Sequence, residues 1–230
     1  MDEPEILFLH ALPLDGYMWD GQREALGAKS IAPTLYRSGE TVTEWAEAAL
    51  SLTQSSRLVL VGCSVGGSCA LEIANLAPER VAGMVLIGTK ADRRADPLFH
   101  AQALRVIREE GRDAAWKRYW RPFFHPDTPE TVLASAYGMM MRQSREDLAR
   151  GTDVFHTRPG RADLLSRLSC PVAIVSGDQD PAPGLKTSAA QAEMASNGKL
   201  HVIKGSGHYV PLEQPADLNS LLTEFTVACR

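Results

Sequence analysis

Apolar segments of strand length recur along the whole chain and alternate with stretches of helical periodicity. The strand-like segments are residues 5–10, 57–62, 81–88 and 172–177, with shorter candidates at 29–35 and 200–204. Strands that are apolar almost without interruption belong to sheets covered on both faces, and their alternation with helices is typical of parallel sheets. The pattern predicts an α/β fold with a mostly parallel sheet of about six strands flanked by helices.

One long stretch breaks this alternation. Residues 90–168 contain no strand signal, but helical periodicity occurs at 98–110, 113–124 and 130–143. A helical insertion between two strands predicts a cap over the sheet, and a chain of 230 residues leaves little room for a second independent core. We therefore expect a core domain of residues 1–90 and 169–230, with a helical cap at 91–168.

The most informative motif follows the second strong strand. Residues 62–67 read Gly-Cys-Ser-Val-Gly-Gly and lead directly into a helical pattern. A serine between such glycines sits on a sharp strand-to-helix turn, where N–H groups of the helix N-terminus point at the site. We interpret Ser64 as a nucleophile. A glycine-rich turn with a helix-capping serine is the alternative, and Cys63 is a rival nucleophile that we expect to face the sheet.

A serine nucleophile needs a base and a carboxylate. His208 lies in a Gly-Ser-Gly-His-Tyr loop after the last predicted strand, where open α/β sheets bind ligands. Asp178 and Asp180 both follow the preceding strand, and proximity alone allows either. Asp178 opens a turn and suits bonding to backbone N–H groups, whereas Asp180 precedes Pro181 and is biased to an extended conformation directed toward His208. We predict that Ser64, Asp180 and His208 form a triad in that chain order.

With these residues in place, the sequence resembles the α/β-hydrolase superfamily over nearly its whole length. It is similar to small capped bacterial esterases and 3-oxoadipate enol-lactonases, and also to non-haem haloperoxidase-like and carbon–carbon bond hydrolases. The motifs that carry the resemblance are Leu9-His10-Ala11-Leu12-Pro13, Gly62-Cys63-Ser64-Val65-Gly66-Gly67, Pro78-Glu79-Arg80-Val81, Cys170-Pro171-Val172 leading to Gly177-Asp178-Gln179-Asp180, and Gly207-His208 with Glu213-Gln214-Pro215. The family spacing Gly-x-x-Asp also places the acid at Asp180.

The resemblance implies an oxyanion hole made by two backbone N–H groups. They belong to Val65, after the nucleophile, and to Leu12, in the loop after the first strand. Family members usually carry His-Gly in that loop, where this chain has His10-Ala11, so we expect a slightly more constrained loop. We also expect the two antiparallel strands that many members carry ahead of this point to be missing, which leaves a sheet of about six parallel strands.

Aromatic and methionine side chains concentrate in the predicted cap. Most are expected to pack the cap onto the core, and the candidates for the pocket wall are Trp116, Trp120, Phe124 and Met140. An apolar wall favours an apolar or aromatic small-molecule substrate. We expect hydrolysis of a carboxylic ester, lactone or thioester through an acyl-enzyme on Ser64. Carbon–carbon bond hydrolysis with the same triad and a low-turnover ligand receptor are the alternatives.

The composition argues against several other classes of function. A net charge of −4 implies no broad cationic face for nucleic acid. No window approaches the roughly 18 apolar residues of a membrane span, and the acidic N-terminus lacks the basic start of a secretory signal. The four cysteines form no metal-ligand spacing. We expect reduced thiols, a cytoplasmic location, and no metal or organic cofactor; the oligomeric state stays open.

Overall fold

A six-stranded parallel sheet runs through the protein, in a computed structural model that describes residues 3–229. Met1 and Asp2 of the acidic N-terminus, and Arg230, lie outside the described residues. The strands are β1 (Glu5–Leu9), β2 (Ser30–Ile31), β3 (Leu58–Cys63), β4 (Val81–Ile87), β5 (Val172–Gly177) and β6 (Gly198–Ile203). Their order is β2-β1-β3-β4-β5-β6, and every neighbouring pair is parallel.

Helices cover the sheet and fill the long connection between β4 and β5. The α-helices are α1 (Asp20–Leu26), α2 (Val42–Ser51), α3 (Val65–Leu76), α4 (Pro97–Arg105), α5 (Arg112–Ala115), α6 (Glu130–Arg142), α7 (Arg145–Thr157), α8 (Ala162–Arg167), α9 (Gly184–Met194), α10 (Val210–Glu213) and α11 (Pro215–Ala228). Short 3₁₀ turns occur at Gly16–Trp19, Pro78–Arg80 and Arg121–Phe123, and π-helical segments at Val106–Glu110 and Trp116–Trp120. β1, β3 and β5 are buried along their full length, as strands between two helical layers must be.

This architecture confirms the predicted α/β fold with its six-stranded sheet. The candidate strand at 29–35 shrinks to the two-residue edge strand β2, because Pro33 follows closely and has no N–H to donate to a neighbouring strand. α7 was not among the predicted helices. It begins with a capping box between Ser144 and Asp147, but it contains few apolar residues, and recurring apolar residues are the signal by which helices are found.

The insertion between β4 and β5 is helical, as predicted from its periodicity. Inside it, α4 packs against α7, whereas α8 packs against α9. Because α9 in turn contacts β5 and β6, the structure associates α8 with the helices of the core. The cap boundary at residue 168 stays a prediction, and this packing argues for a cap that ends before α8.

Ion pairs join the insertion to the remainder of the chain. In each pair the carboxylate is buried and the arginine is at least partly exposed. The pairs are Arg142–Asp15 at 3.1 Å, Arg37–Asp147 at 3.0 Å and Arg161–Glu72 at 2.8 Å. A buried carboxylate that loses its cation is strongly destabilising, so these contacts help to hold the insertion in one position on the sheet.

Candidate active site

Ser64 occupies the sharp turn between β3 and α3. Its backbone has φ 55° and ψ −118°, and it is the one non-glycine residue with positive φ in the described chain. The flanking glycines are needed because the turn is tightly packed: a Cβ on Gly66 would collide with the carbonyl of Leu9, and one on Gly62 would come 2.5 Å from the carbonyl oxygen of Gly66. The strand-turn-helix expected from the sequence is therefore present, with the serine at its apex.

Ser64 and His208 line the same cavity. The cavity has a volume of about 530 Å³, and most of its wall is apolar. The lining residues are Leu12, Ser64, Phe99, Gln102, Ala103, Ile107, Arg118, Tyr119, Trp120, Phe123, Thr152, Phe155, His156, His208 and Tyr209. An enclosed apolar pocket with a few polar groups is the usual form of a small-molecule site.

The imidazole of His208 is held by Asp180. The ring nitrogen Nδ1 lies 3.0 Å and 3.1 Å from the two carboxylate oxygens, and the residues are only 5% and 7% exposed. A carboxylate at Nδ1 stabilises the proton there and leaves Nε2 as the basic nitrogen. Oδ1 of Asp180 also accepts the N–H of Ala182 at 2.9 Å, which fixes the carboxylate.

Asp178 has a different partner. Its Oδ1 accepts the backbone N–H of Ser206 at 3.2 Å, on the loop that carries His208. The predicted bond to a backbone N–H two residues along the chain is made by Asp180 instead. Asp178 thus joins two neighbouring loops, and Asp180 is the carboxylate at the imidazole.

The Ser64 hydroxyl makes no hydrogen bond to another residue within the range 3–229. The contact between nucleophile and base is often long without substrate and tightens in the complex. The missing hydrogen bond of the Ser64 hydroxyl is therefore compatible with catalysis. The rival Cys63 is fully buried, with its Sγ 3.8 Å from the carbonyl oxygen of His208. Burial, reinforced by nearby Asp180 and Glu213, raises the pKa of the Cys63 thiol well above its usual value, so the thiol stays protonated and unreactive.

The backbone N–H groups of Leu12 and Val65 are available to a ligand. Over residues 3–229, neither donates to another group of the protein, and the first N–H of a helix has no acceptor within the helix. The Leu12 loop is fixed by two side chains: Tyr209 donates its hydroxyl to the Leu12 carbonyl at 3.1 Å, and Nε2 of His10 accepts the N–H of Leu35 at 2.9 Å. The Leu12 N–H therefore belongs to a well-anchored loop, and the Val65 N–H belongs to the first residue of α3.

The structure places only one of the four predicted pocket residues on the cavity wall, namely Trp120. The expectation for Trp116, Phe124 and Met140 is corrected, because none of the three lines this cavity. The Trp116 ring lies 5.7 Å from that of Phe124, and the Phe124 ring lies 4.4 Å from that of Tyr209 at an angle of 31°. Trp116 and Phe124 thus contact other aromatic rings of the protein.

Most of the cap residues that do line the cavity were missed. α4 and the π-helical segment after it supply Phe99, Gln102, Ala103 and Ile107, and α7 supplies Thr152, Phe155 and His156. The spacing of residues 152, 155 and 156 places them on one helix face. That spacing was a usable signal, but it required α7 to be recognised first.

The sequence also did not reveal the role of Glu213, although the motif that contains it contributes to the family resemblance. Its Oε2 accepts the N–H groups of Gly207 and Tyr209, both at 3.1 Å, on either side of His208. Its Oε1 accepts the N–H of His125 at 2.6 Å and the hydroxyl of Thr128 at 2.8 Å. One carboxylate thus ties the histidine loop to the segment that follows the cap residue Phe123.

Residues 3–229 contain no group of three or more His, Cys, Asp or Glu side chains arranged to hold a metal ion. None of the helices in this range combines the length and apolar character needed to cross a membrane.

Known proteins share both the sequence pattern and the fold. The bifunctional biotin biosynthesis protein BioHC of Cellvibrio japonicus is 26% identical over an alignment of 241 residues. The alignment spans 98% of this chain but 48% of that protein, so this chain matches about half of its length. The 3-oxoadipate enol-lactonase 2 of Acinetobacter baylyi is 26% identical over 95% of this chain and 86% of its own length. An esterase structure from Thermogutta terrifontis superposes with a TM-score of 0.90 at 27% identity, covering 98% of this chain and 90% of that one.

A family model also matches almost the whole chain. The model describes the alpha/beta hydrolase family and matches residues 6–221. This range includes the turn at Ser64, the loop of Asp180 and the loop of His208. The chain therefore belongs to the alpha/beta hydrolase family.

Proposed function

We propose that this protein is a serine hydrolase that cleaves a carboxylic ester, lactone or thioester of an apolar or aromatic small molecule. The observation that carries the proposal is the shared cavity: Ser64 lies on a strained turn, and His208, paired with Asp180 at 3.0 Å, lines the same apolar space. The esterase and enol-lactonase named above support the ester and lactone classes.

The proposed reaction proceeds through an acyl-enzyme. His208 removes the proton of the Ser64 hydroxyl as its oxygen attacks the substrate carbonyl, and Asp180 stabilises the imidazolium. The N–H groups of Leu12 and Val65 stabilise the charge on the carbonyl oxygen. His208 then protonates the leaving group, and a water molecule activated by the same imidazole releases the acid from Ser64.

We also propose a cytoplasmic location and a small molecule as the only partner required for turnover. All four cysteines are buried and unpaired as free thiols. Structural disulfides are typical of secreted proteins and rare in the reducing cytosol. No step of the proposed reaction uses a metal or an organic cofactor.

The test combines turnover with covalent labelling. A panel of p-nitrophenyl esters of increasing acyl length is assayed with the wild type and with Ser64→Ala, which should lower kcat by about three orders of magnitude or more. A fluorophosphonate should label the wild type at Ser64, as located by mass spectrometry. Cys63→Ala is the matched control, because its buried thiol has no role in the reaction, and it should keep both turnover and labelling.

Two results would contradict the proposal. The first is an adduct on Cys63 or on no residue. The second is ester turnover that survives in Ser64→Ala. Saturable ligand binding without turnover of any ester would favour the receptor alternative.

A further inference from the structure

The cavity wall carries one permanent charge. Among its fifteen lining residues there is no Asp, Glu or Lys, and the only Arg is Arg118. Ser64 and His208 supply the reacting groups, and most other side chains of the wall are apolar or aromatic. A cation that is alone in an apolar pocket is one of the few polar groups that can orient a ligand.

Arg118 has no carboxylate partner within residues 3–229. The neighbouring Lys117 is bonded to Asp113 at 2.7 Å, whereas the guanidinium of Arg118 lies 5.7 Å from the ring centroid of Tyr119, another residue of the wall. Arginine binds carboxylates through two parallel N–H groups. Both N–H pairs of Arg118 remain available to a group that enters the cavity.

The position of Arg118 defines the mouth of the cavity. Arg118 and Gln102 are exposed lining residues, and neither side chain makes a hydrogen bond within the described residues, whereas Ile107 and Trp120 are buried. A sphere of about 530 Å³ is about 10 Å across. Arg118 and Ser64 line this one mostly apolar cavity, so a single small molecule can contact both.

The surroundings do not neutralise this cation. Burial lowers the pKa of the lining residue His156 to about 4, so its imidazole is neutral at neutral pH. Of the two acidic residues near His156, Asp96 accepts the backbone N–H of Phe99 at 3.0 Å, and Asp153 pairs with His100 at 2.9 Å. Behind the wall, the buried guanidinium of Arg158 lies 4.2 Å from the ring centroid of Phe155 and has no carboxylate within ion-pair distance in the described chain.

We propose that the substrate is an anionic ester or lactone, with a carboxylate that Arg118 binds at the mouth of the cavity while Ser64 attacks a carbonyl several bonds away. This inference rests on the proposed function and narrows it. An apolar linker between the two groups fits the aromatic wall. A neutral ester fills the same space but leaves the guanidinium without a partner.

The test compares matched neutral and anionic esters. The acyl-side pair is 4-nitrophenyl butyrate and mono-4-nitrophenyl glutarate, and the leaving-group pair is 4-methylphenyl acetate and 4-acetoxybenzoate. In at least one pair the wild type should show the higher kcat/KM for the anionic member. Arg118→Gln should reduce that preference roughly fivefold, near the upper limit for a partly exposed ion pair, and Arg118→Lys should retain part of it, because lysine keeps the charge but not the paired N–H groups.

The control variant is Arg121→Gln. Arg121 lies three residues further along the cap and does not line the cavity, so its loss should leave the preference unchanged. Added salt should weaken the preference of the wild type, because it screens the ion pair, and should have little effect on that of Arg118→Gln.

The outcomes separate this inference from the proposed function. If the wild type prefers the neutral member of both pairs, or if Arg118→Gln lowers both members equally, Arg118 does not select anionic substrates. If no ester is hydrolysed, the proposed function fails, and binding is then measured by calorimetry with Ser64→Ala and the acyl-side pair. Tighter binding of the glutarate ester that is lost on adding Arg118→Gln supports the inference, and equal binding overturns it.

Discussion

Ser64 shows how local backbone and chemistry are coupled at a single residue. A non-glycine residue at φ 55° and ψ −118° is held in a conformation that costs on the order of 1–3 kcal/mol. The cost is offset by the close packing of Gly62 and Gly66 against the neighbouring backbone, which holds the turn in this conformation. The same turn places Ser64 on the cavity wall, directly before the first residue of α3.

We expect Asp180→Asn to lower kcat by about 10⁴-fold, as in other triads, because an amide at Nδ1 favours the wrong imidazole tautomer. The matched control is Asp178→Asn, which removes charge from a carboxylate that bonds the N–H of Ser206. It should cost much less activity and act mainly through stability. Both kcat values are measured with p-nitrophenyl esters after thermal melting confirms folding. A larger loss in folded Asp178→Asn would reverse the assignment.

His10 makes stability depend on pH. Complete burial lowers its pKa to about 4, against 6.5 for an ordinary histidine. Below about pH 6.5 the unfolded chain therefore takes up a proton that the folded protein rejects. The free energy of unfolding should fall as the pH drops from 6.5 to 4, by on the order of 3 kcal/mol from this residue.

Urea unfolding at constant ionic strength between pH 7 and pH 5 measures this dependence. His10→Gln should flatten it, because glutamine can still accept the Leu35 N–H but does not titrate. Equal slopes for the wild type and His10→Gln would show that other groups dominate. His156, whose pKa is also lowered to about 4 by burial, accounts for part of the slope that remains in the variant.

At the scale of elements, the histidine loop depends on the cap as well as on the sheet. The N–H of His208 donates to the carbonyl of Phe123 at 2.9 Å, and the two rings lie 5.2 Å apart. Glu213, at the end of α10, bonds both this loop and residues His125 and Thr128. The position of the base is therefore set jointly by two parts of the chain that are distant in sequence.

Glu213→Gln should lower kcat about tenfold with a smaller effect on KM. An amide replaces one acceptor oxygen with a donor. The N–H groups bonded to that oxygen, either in the histidine loop or at His125, then lose their partner, at about 1–3 kcal/mol. Gln214→Ala is the control, since its amide bonds only the Gly205 carbonyl among the described residues. Assays are run well below the melting temperature of each variant. An unchanged kcat in folded Glu213→Gln would mean that the carboxylate serves stability alone.

The two tryptophans of one π-helical segment allow a test of the cavity wall. Trp120 lines the cavity, and Trp116 packs against Phe124 and Tyr137. Trp120→Ala should change the ratio of kcat/KM for long and short p-nitrophenyl esters about tenfold, equivalent to about 1.4 kcal/mol. Trp116→Ala should lower the melting temperature and leave that ratio unchanged. A shift of the ratio by both variants would mean that the segment moves as a unit.

At the scale of the whole molecule, buried carboxylates help to hold the insertion on the core. Glu72 lies in α3, the helix that begins at the Ser64 turn, and its side chain is 2% exposed. Arg161 reaches it from the C-terminal part of the insertion with two hydrogen bonds, and Thr43 of α2 donates a third. The junction therefore joins three elements around one carboxylate.

Arg161→Ala should reduce the free energy of unfolding by about 3 kcal/mol, because it leaves Glu72 charged and buried without its cation. Arg167→Ala is the matched control: its pair with Asp163 is exposed on both sides, and its loss should cost no more than about 1 kcal/mol. Urea denaturation measures both. Adding Glu72→Gln to Arg161→Ala should restore part of the loss, and an additive loss instead would contradict the ion-pair explanation.

The sequence by itself determined the features that depend on local chemistry. Apolar runs without alternation indicated a buried parallel sheet, and the glycines at 62 and 66 indicated the turn. Each of these signals lies within a few residues of the feature that it predicts. Strand number and the helical character of the insertion followed from the same local periodicities.

The tertiary structure alone decided what surrounds these residues. The wall of the cavity is built from α4, the two π-helical segments and α7, so no single stretch of sequence describes it. Trp116 and Trp120 have the same chemistry and neighbouring positions, and only the fold decides that Trp120 lines the cavity and Trp116 does not. The partners of Glu213 and the unpaired state of Arg118 likewise depend on which side chains the fold brings within reach, a property that local sequence signals do not encode.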